Sequence, residues 1–139
     1  MTRSTVVAFL GAMSFAAFAA AAATRPAALA SAAPGLWEIT GLPGAKVPAR
    51  ECVGDVAALA QLEHRGRSCT RSVLTGDAIS TVIEYSCAGR GFGRTKMTML
   101  TPRSIRIETQ GISDQLPFNY VLQARRVGDC PPRSTASAH

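Results

Sequence analysis

Four cysteines, Cys52, Cys69, Cys87 and Cys130, set the tightest bound on what this chain of 139 residues can fold into. The length is that of a single domain. Successive cysteines lie 17, 18 and 43 residues apart, whereas zinc ribbons place them in close pairs two residues apart. The chain holds no Cys-x-x-Cys redox motif and no Cys-x-x-Cys-His haem attachment site. An even count behind an export leader reads as two disulfides, and a domain this small gains from them because its core is modest.

The leader is legible at the start. Arg3 is followed by an uncharged run over 5–23 that contains Val6-Val7-Ala8-Phe9-Leu10 and then turns alanine-rich. Arg25 and Pro26 break it, and Ala28-Leu29-Ala30 carries the small-x-small pattern of a cleavage site. This three-part layout predicts a signal peptide over 1–30, cut after Ala30, with Ala23 as the alternative. The competing reading is a retained anchor, since the run approaches the ~20 residues a span needs. Its alanine content and the cleavage pattern favour removal, which leaves no membrane span. Cutting after Ala30 removes Arg3 and Arg25 from 15 basic residues and none of the 9 acids, so the net charge falls from +6 to +4. Such a charge aids solubility and selects no partner.

Beyond the leader, alternation predicts a half-buried strand over 36–40, followed by the turn cluster Gly41-Leu42-Pro43-Gly44. A second strand is expected over 47–53, with Pro48 confining it to an edge or to its own start. Asp55 stands as an N-cap before a two-turn helix over 56–63, with Val56, Leu59, Ala60 and Glu63 on one face and Leu62 beside them. Strands follow over 70–75, 79–87, 94–100, 104–110 and 118–127, joined by Gly76-Asp77, Pro102-Arg103 and the segment 111–117. Ile105 and Ile107 alternate with Arg106 and Glu108, which makes one face of the sheet wet. Pro131-Pro132 ends the domain of 31–132, and 133–139 reads as a flexible tail.

The hairpin bears on the cysteines. Cys69 and Cys87 lie symmetrically about Ala78, so an odd-length loop centred there sets them opposite each other. A two-residue turn at Gly76-Asp77 would instead set Cys69 against Glu84, and the bridge would then need a bulge. Cys69–Cys87 is the favoured pair, leaving Cys52–Cys130. The chain-entropy model puts these loops at roughly 3 and 4 kcal/mol respectively.

Taken together, Gly35-Leu36-Trp37-Glu38, the cysteine segments Cys52-Val53-Gly54-Asp55-Val56, Gly66-Arg67-Ser68-Cys69 and Glu84-Tyr85-Ser86-Cys87, and the closing Arg125-Arg126-Val127-Gly128-Asp129-Cys130-Pro131 resemble one family. It is the family of domain of unknown function number 3617, small exported four-cysteine proteins of Gram-negative bacteria. The resemblance implies a periplasmic location and is silent on chemistry.

Catalysis finds little footing in these residues. The only histidines are His64, at a basic helix end, and the terminal His139, so no nucleophile–base–orienter set can be assembled in the usual way. Acids and histidines do not cluster, and neither a metal nor another cofactor is expected. Arg90-Gly91-Phe92-Gly93 matches the first half of an RNA-recognition strand motif, but Arg94-Thr95-Lys96-Met97 does not continue it. No nucleic-acid partner is expected, and the glycines read as a turn with positive φ.

The chain is therefore expected to be mainly β (α+β), a single antiparallel, curved sheet of about six strands with one short helix. Trp37, Tyr85, Phe118 and Tyr120 are core aromatics that would line an apolar cleft if the helix covers the sheet incompletely. The expected function is a non-enzymatic binding module of the envelope, for an apolar small molecule or a protein partner. A structural or stress-related envelope protein without a ligand is the alternative, and an enzyme comes third.

Overall fold

The computed structural model describes residues 25–132. Most of the expected leader, 1–24, and the expected tail, 133–139, lie outside the described residues. Seven strands form one curved antiparallel sheet: β1 (Gly35–Thr40), β2 (Ala49–Val53), β3 (Cys69–Gly76), β4 (Ser80–Cys87), β5 (Gly91–Thr101), β6 (Ser104–Ser113) and β7 (Leu116–Gly128). Their spatial order is β2-β1-β7-β6-β5-β4-β3. Each of the seven overlaps a stretch expected as a strand, so the rounded count of about six is one short, in the class the alternation implied.

Every neighbouring pair is a hairpin except β1 with β7, where the first and last strands close on each other. That order puts β2 and β3 at opposite edges, so the connector 54–68 has to cross the whole sheet. Six strand spacings of about 4.8 Å make a path of about 29 Å. The connector crosses as a 3₁₀ segment, Val56–His64, rather than the expected α-helix. A 3₁₀ turn rises about 2.0 Å per residue against 1.5 Å for an α-helix, which lengthens the reach of fifteen residues. Asp55 caps its start, accepting from the Ala57 amide at 3.0 Å. Gln61 breaks the helical path with φ −111° and ψ 33°. The Ala60 carbonyl, freed by that break, accepts from the Thr95 hydroxyl at 2.6 Å, while Thr109 donates to Thr95 Oγ1 at 2.7 Å. Here the sheet supplies the hydrogen bond that the helix lost.

The core lies between this segment and the concave face. Ile39 and Trp37 from β1, Ile83 from β4, Met97 from β5, Ile105 and Ile107 from β6, and Leu122 and Ala124 from β7 meet Val56, Leu59, Ala60 and Leu62. A short 3₁₀ turn, Ala27–Leu29, adds Leu29 to the same cluster. The convex face is charged, with cross-strand ion pairs Glu38–Arg50 and Glu84–Arg94, and Arg106–Glu108 along β6. This is the wet face that the Ile105/Arg106 alternation implied.

Disulfides join Cys69 to Cys87 and Cys52 to Cys130. The first spans the β3–β4 hairpin, where Cys69 and Cys87 are register partners. The odd loop centred on Ala78 does not form, since Gly76 pairs with Thr81 across an even turn; a bulge between Val73 and Thr75 shifts the register by one and brings Cys69 opposite Cys87. Asp77 organises the loop by accepting from the amides of Ile79 and Ser80 at 2.7 and 2.8 Å. These bonds hold its carboxyl below the usual carboxylate range.

One connection differs from expectation. Segment 111–117 is not a loop, because β6 and β7 pair through Ser113 and Leu116. Only Asp114 and Gln115 turn, both with positive φ, at 45° and 70°. Two positive-φ residues match the right-handed twist of a two-residue hairpin, so the ladder runs almost to its end.

Candidate functional site

A single register row organises the far end of the concave face. Tyr85 of β4 pairs with Gly93 of β5, Gly93 with Gly111 of β6, and Gly111 with Phe118 of β7. Two glycines thus stand side by side between two aromatic residues. A Cβ on Gly93 would lie 2.5 Å from the Tyr85 ring, and one on Gly111 would lie 2.9 Å from that of Phe118. The rings occupy the space the glycines leave open.

His64, the last residue of the 3₁₀ segment, packs edge-on to both rings. Its centroid lies 5.5 Å from that of Tyr85 and 6.1 Å from that of Phe118. Its Nε2 sits 3.2 Å from the Arg90 carbonyl and its Nδ1 3.1 Å from the Tyr85 hydroxyl. A carbonyl only accepts, so in the neutral imidazole Nε2 carries the proton and Tyr85 donates to Nδ1. His64 is buried and both nitrogens are occupied. Burial, and then the charge of Glu63, push the Tyr85 phenol up to about 12.

Beside this closed box the cover ends, and a groove of about 810 Å³ opens. Its walls are the β1–β2 loop with Leu42, the start of β2 with Ala49, the end of the 3₁₀ segment with Leu62 and Glu63 and its C-cap Arg65, and the start of β7 with Phe118 and Tyr120. Gly41 makes the tight exit from β1, with φ 93° and only 2.7 Å between its Cβ position and the Val121 carbonyl. The Tyr120 hydroxyl donates to Glu63 Oε2 at 2.5 Å. Burial, and then this bond to a carboxylate, push the Tyr120 phenol far above its ordinary range. At the rim Arg65 pairs with Glu51 at 3.1 Å, an exposed bridge that contributes little to stability. The groove thus has a mixed lining, with Leu42, Ala49, Leu62 and Phe118 interrupted by Glu63, Arg65 and Asn119 and by one charge-assisted hydrogen bond.

Of the four aromatics drawn into a cleft by the sequence, Phe118 and Tyr120 line the groove. Trp37 does not. It is fully buried in the core, its indole N–H donating to the Ala33 carbonyl at 3.3 Å, because the N-terminal segment covers it. Tyr85 does not either, because His64 and the glycine pair enclose it. Leu42, Ala49, Leu62 and Glu63 were not drawn into a site from sequence. Gly93 and Gly111 both take core-facing positions of the alternation, but the two-residue turn at Pro102-Arg103 alone would set Gly93 against Ile112; the bulge between Met99 and Thr101 brings the two glycines together.

Arg90-Gly91-Phe92-Gly93 has a structural explanation. Gly91, with φ 128°, leads out of the turn, and its Cβ position lies 3.0 Å from His64 Nε2. Among the described residues, no group of three or more His, Cys, Asp or Glu is placed to hold a metal ion. Among the same residues no helix is long and apolar enough to cross a membrane.

A family model described as a protein of unknown function (DUF3617) matches residues 32–130. No curated protein and no solved structure matches the chain.

Proposed function

Starting from the fact that the chain belongs to the DUF3617 family, we propose that it is an exported, periplasmic, non-enzymatic protein that binds an apolar small molecule in the groove beside Tyr120. One observation carries this reading. Between the 3₁₀ segment, the β1–β2 connection and the start of β7 lies a groove whose walls include Leu42, Ala49, Leu62, Phe118 and Tyr120, beside the polar Glu63, Arg65 and Asn119. Apolar surface in a concave place gains from a ligand that removes it from water, at about 25 cal/mol per Å². The Glu63–Tyr120 pair gives the groove a polar point at which such a ligand would be oriented. The leader pattern of 1–30 and the two disulfides support export, since such bridges persist in oxidising compartments.

A ligand-free structural role in the envelope draws support from the convex face, whose ion pairs spread both charge signs over three separate places. A catalytic role draws less: His64, the only histidine among the described residues, presents no free nitrogen.

Native mass spectrometry of protein recovered from the periplasm tests the binding reading. The expected spectrum carries extra mass that disappears on denaturation and is absent from a Leu42→Asp variant, which puts a charge into the apolar wall. Bare polypeptide in the unmodified protein, together with no uptake of an apolar fluorescent probe, would sink the carrier reading and leave the structural one.

A further inference from the structure

We infer that the mature protein begins at Thr24, and that the segment following the leader run is a permanent part of the domain. The inference rests on the export reading and assigns where the chain is cut. A signal-peptidase pattern of small residues occurs twice, at Ala21-Ala22-Ala23 and at Ala28-Leu29-Ala30. By sequence alone the second is the better-isolated match, but the structure distinguishes the two.

Ala28, Leu29 and Ala32 are 3%, 0% and 2% exposed, and Leu29 is part of the main hydrophobic cluster. The turn Ala27–Leu29 lies on β4 and β5, the two strands on which the Val56–His64 segment also packs. It is also fastened in place. The Leu29 amide donates to the Pro26 carbonyl at 2.9 Å, the Ala32 amide to the Leu29 carbonyl at 3.1 Å, and Arg25 Nη1 to the Ala32 carbonyl at 3.4 Å. A cut after Ala30 would remove Arg25, Pro26, Ala28 and Leu29 together. That would open a hole in the core over β4 and β5 and delete every one of these bonds. A cut after Ala23 removes none of them. It also falls directly at the end of the uncharged run, whereas the later site has Arg25 and Pro26 between that run and the scissile bond. The leader so defined has 23 residues, within the ordinary range of 15–30. Pro26 then starts the first turn of the folded domain, a position that suits its fixed φ.

The test uses the whole precursor, expressed with its own leader in a bacterium with two membranes, and reads the N-terminus and intact mass of the periplasmic protein. The expected terminus is Thr24, unchanged in an Ala30→Leu variant, which spoils the later site at an exposed position. A terminus at Ser31 overturns the inference while leaving export intact. Uncut precursor in the periplasmic or membrane fraction overturns it as well. Full-length precursor confined to the cytoplasm would refute the export reading itself. Independently, Leu29→Ala is expected to lower Tm by about 10 °C or more. An unchanged Tm would mean that Leu29 is no part of the core, and the inference would fall.

Discussion

Tyr85 and Tyr120 are alike in sequence setting and opposite in fate. Both stand on the concave face, and each donates its hydroxyl to the end of the same 3₁₀ segment, Tyr85 to His64 and Tyr120 to the adjacent Glu63. Tyr85 is sealed, because the glycine pair admits its ring and His64 closes over it. Tyr120 keeps a share of exposed surface and forms a wall of the groove, because Glu63 meets only its hydroxyl and the ring faces the groove rather than a covering side chain such as His64. An aromatic residue in a strand is thus core or site according to what passes over it. Here two consecutive residues of the covering segment mark the boundary.

Four substitutions test this boundary. His64→Ala should have the largest effect, because it leaves a cavity over the glycine pair and strips partners from the Tyr85 hydroxyl and the Arg90 carbonyl. A loss of about 3–4 kcal/mol is expected in denaturant unfolding. A loss below about 1 kcal/mol would mean that the box is not closed. Gly93→Ala comes next, at about 2–3 kcal/mol, since its methyl would have to displace the buried Tyr85 ring. The same change at the exposed Gly54, whose Cβ position meets nothing within 4 Å, serves as the control and should be near neutral.

Tyr85→Phe should cost about 1–2 kcal/mol, by leaving His64 Nδ1 without a donor. It also carries a pH signature. A phenol whose folded pKa is raised from 10.0 to about 12 keeps more protons in the folded than in the unfolded chain within that interval. Stability from this group is therefore fully present below pH 10 and is lost as pH rises toward 12. Unfolding curves across that range should show the loss in the unmodified protein and a reduced slope in the variant. Equal slopes would show that Tyr85 does not govern it.

Tyr120→Phe should have the smallest effect, below about 1 kcal/mol, because water can replace its hydroxyl at Glu63. Its consequence should appear in the groove instead, as weakened uptake of the apolar probe at nearly unchanged stability. A cost as large as that of Tyr85→Phe would make the two sites equivalent and erase the contrast.

The strands were readable because a half-buried sheet writes itself in period two, and Ile105-Arg106-Ile107-Glu108 shows this plainly. The Cys69–Cys87 pair could be approached in the same way, because a hairpin constrains register locally, although whether a loop or a bulge set that register stayed open. The helix type was less accessible. Residues 56–63 carry helix-forming side chains, but the segment's geometry answers to the distance between two edge strands, and that distance exists only once β1 has paired with β7. The cleft was half legible. Phe118 and Tyr120 were named from their type alone, and so were Trp37 and Tyr85, which the core absorbed.

By itself, the sequence determined the class of the fold, the alternation of its two faces and the number of cysteines to be bridged. These follow from short-range periodicity and composition, which any local stretch of chain expresses. Only the tertiary structure decided where the cover of the sheet stops, that His64 fills the space beside Gly93 and Gly111, and that Leu29 is part of the core. Each of these depends on packing between segments distant in the chain, and close packing is a property of the assembled interior.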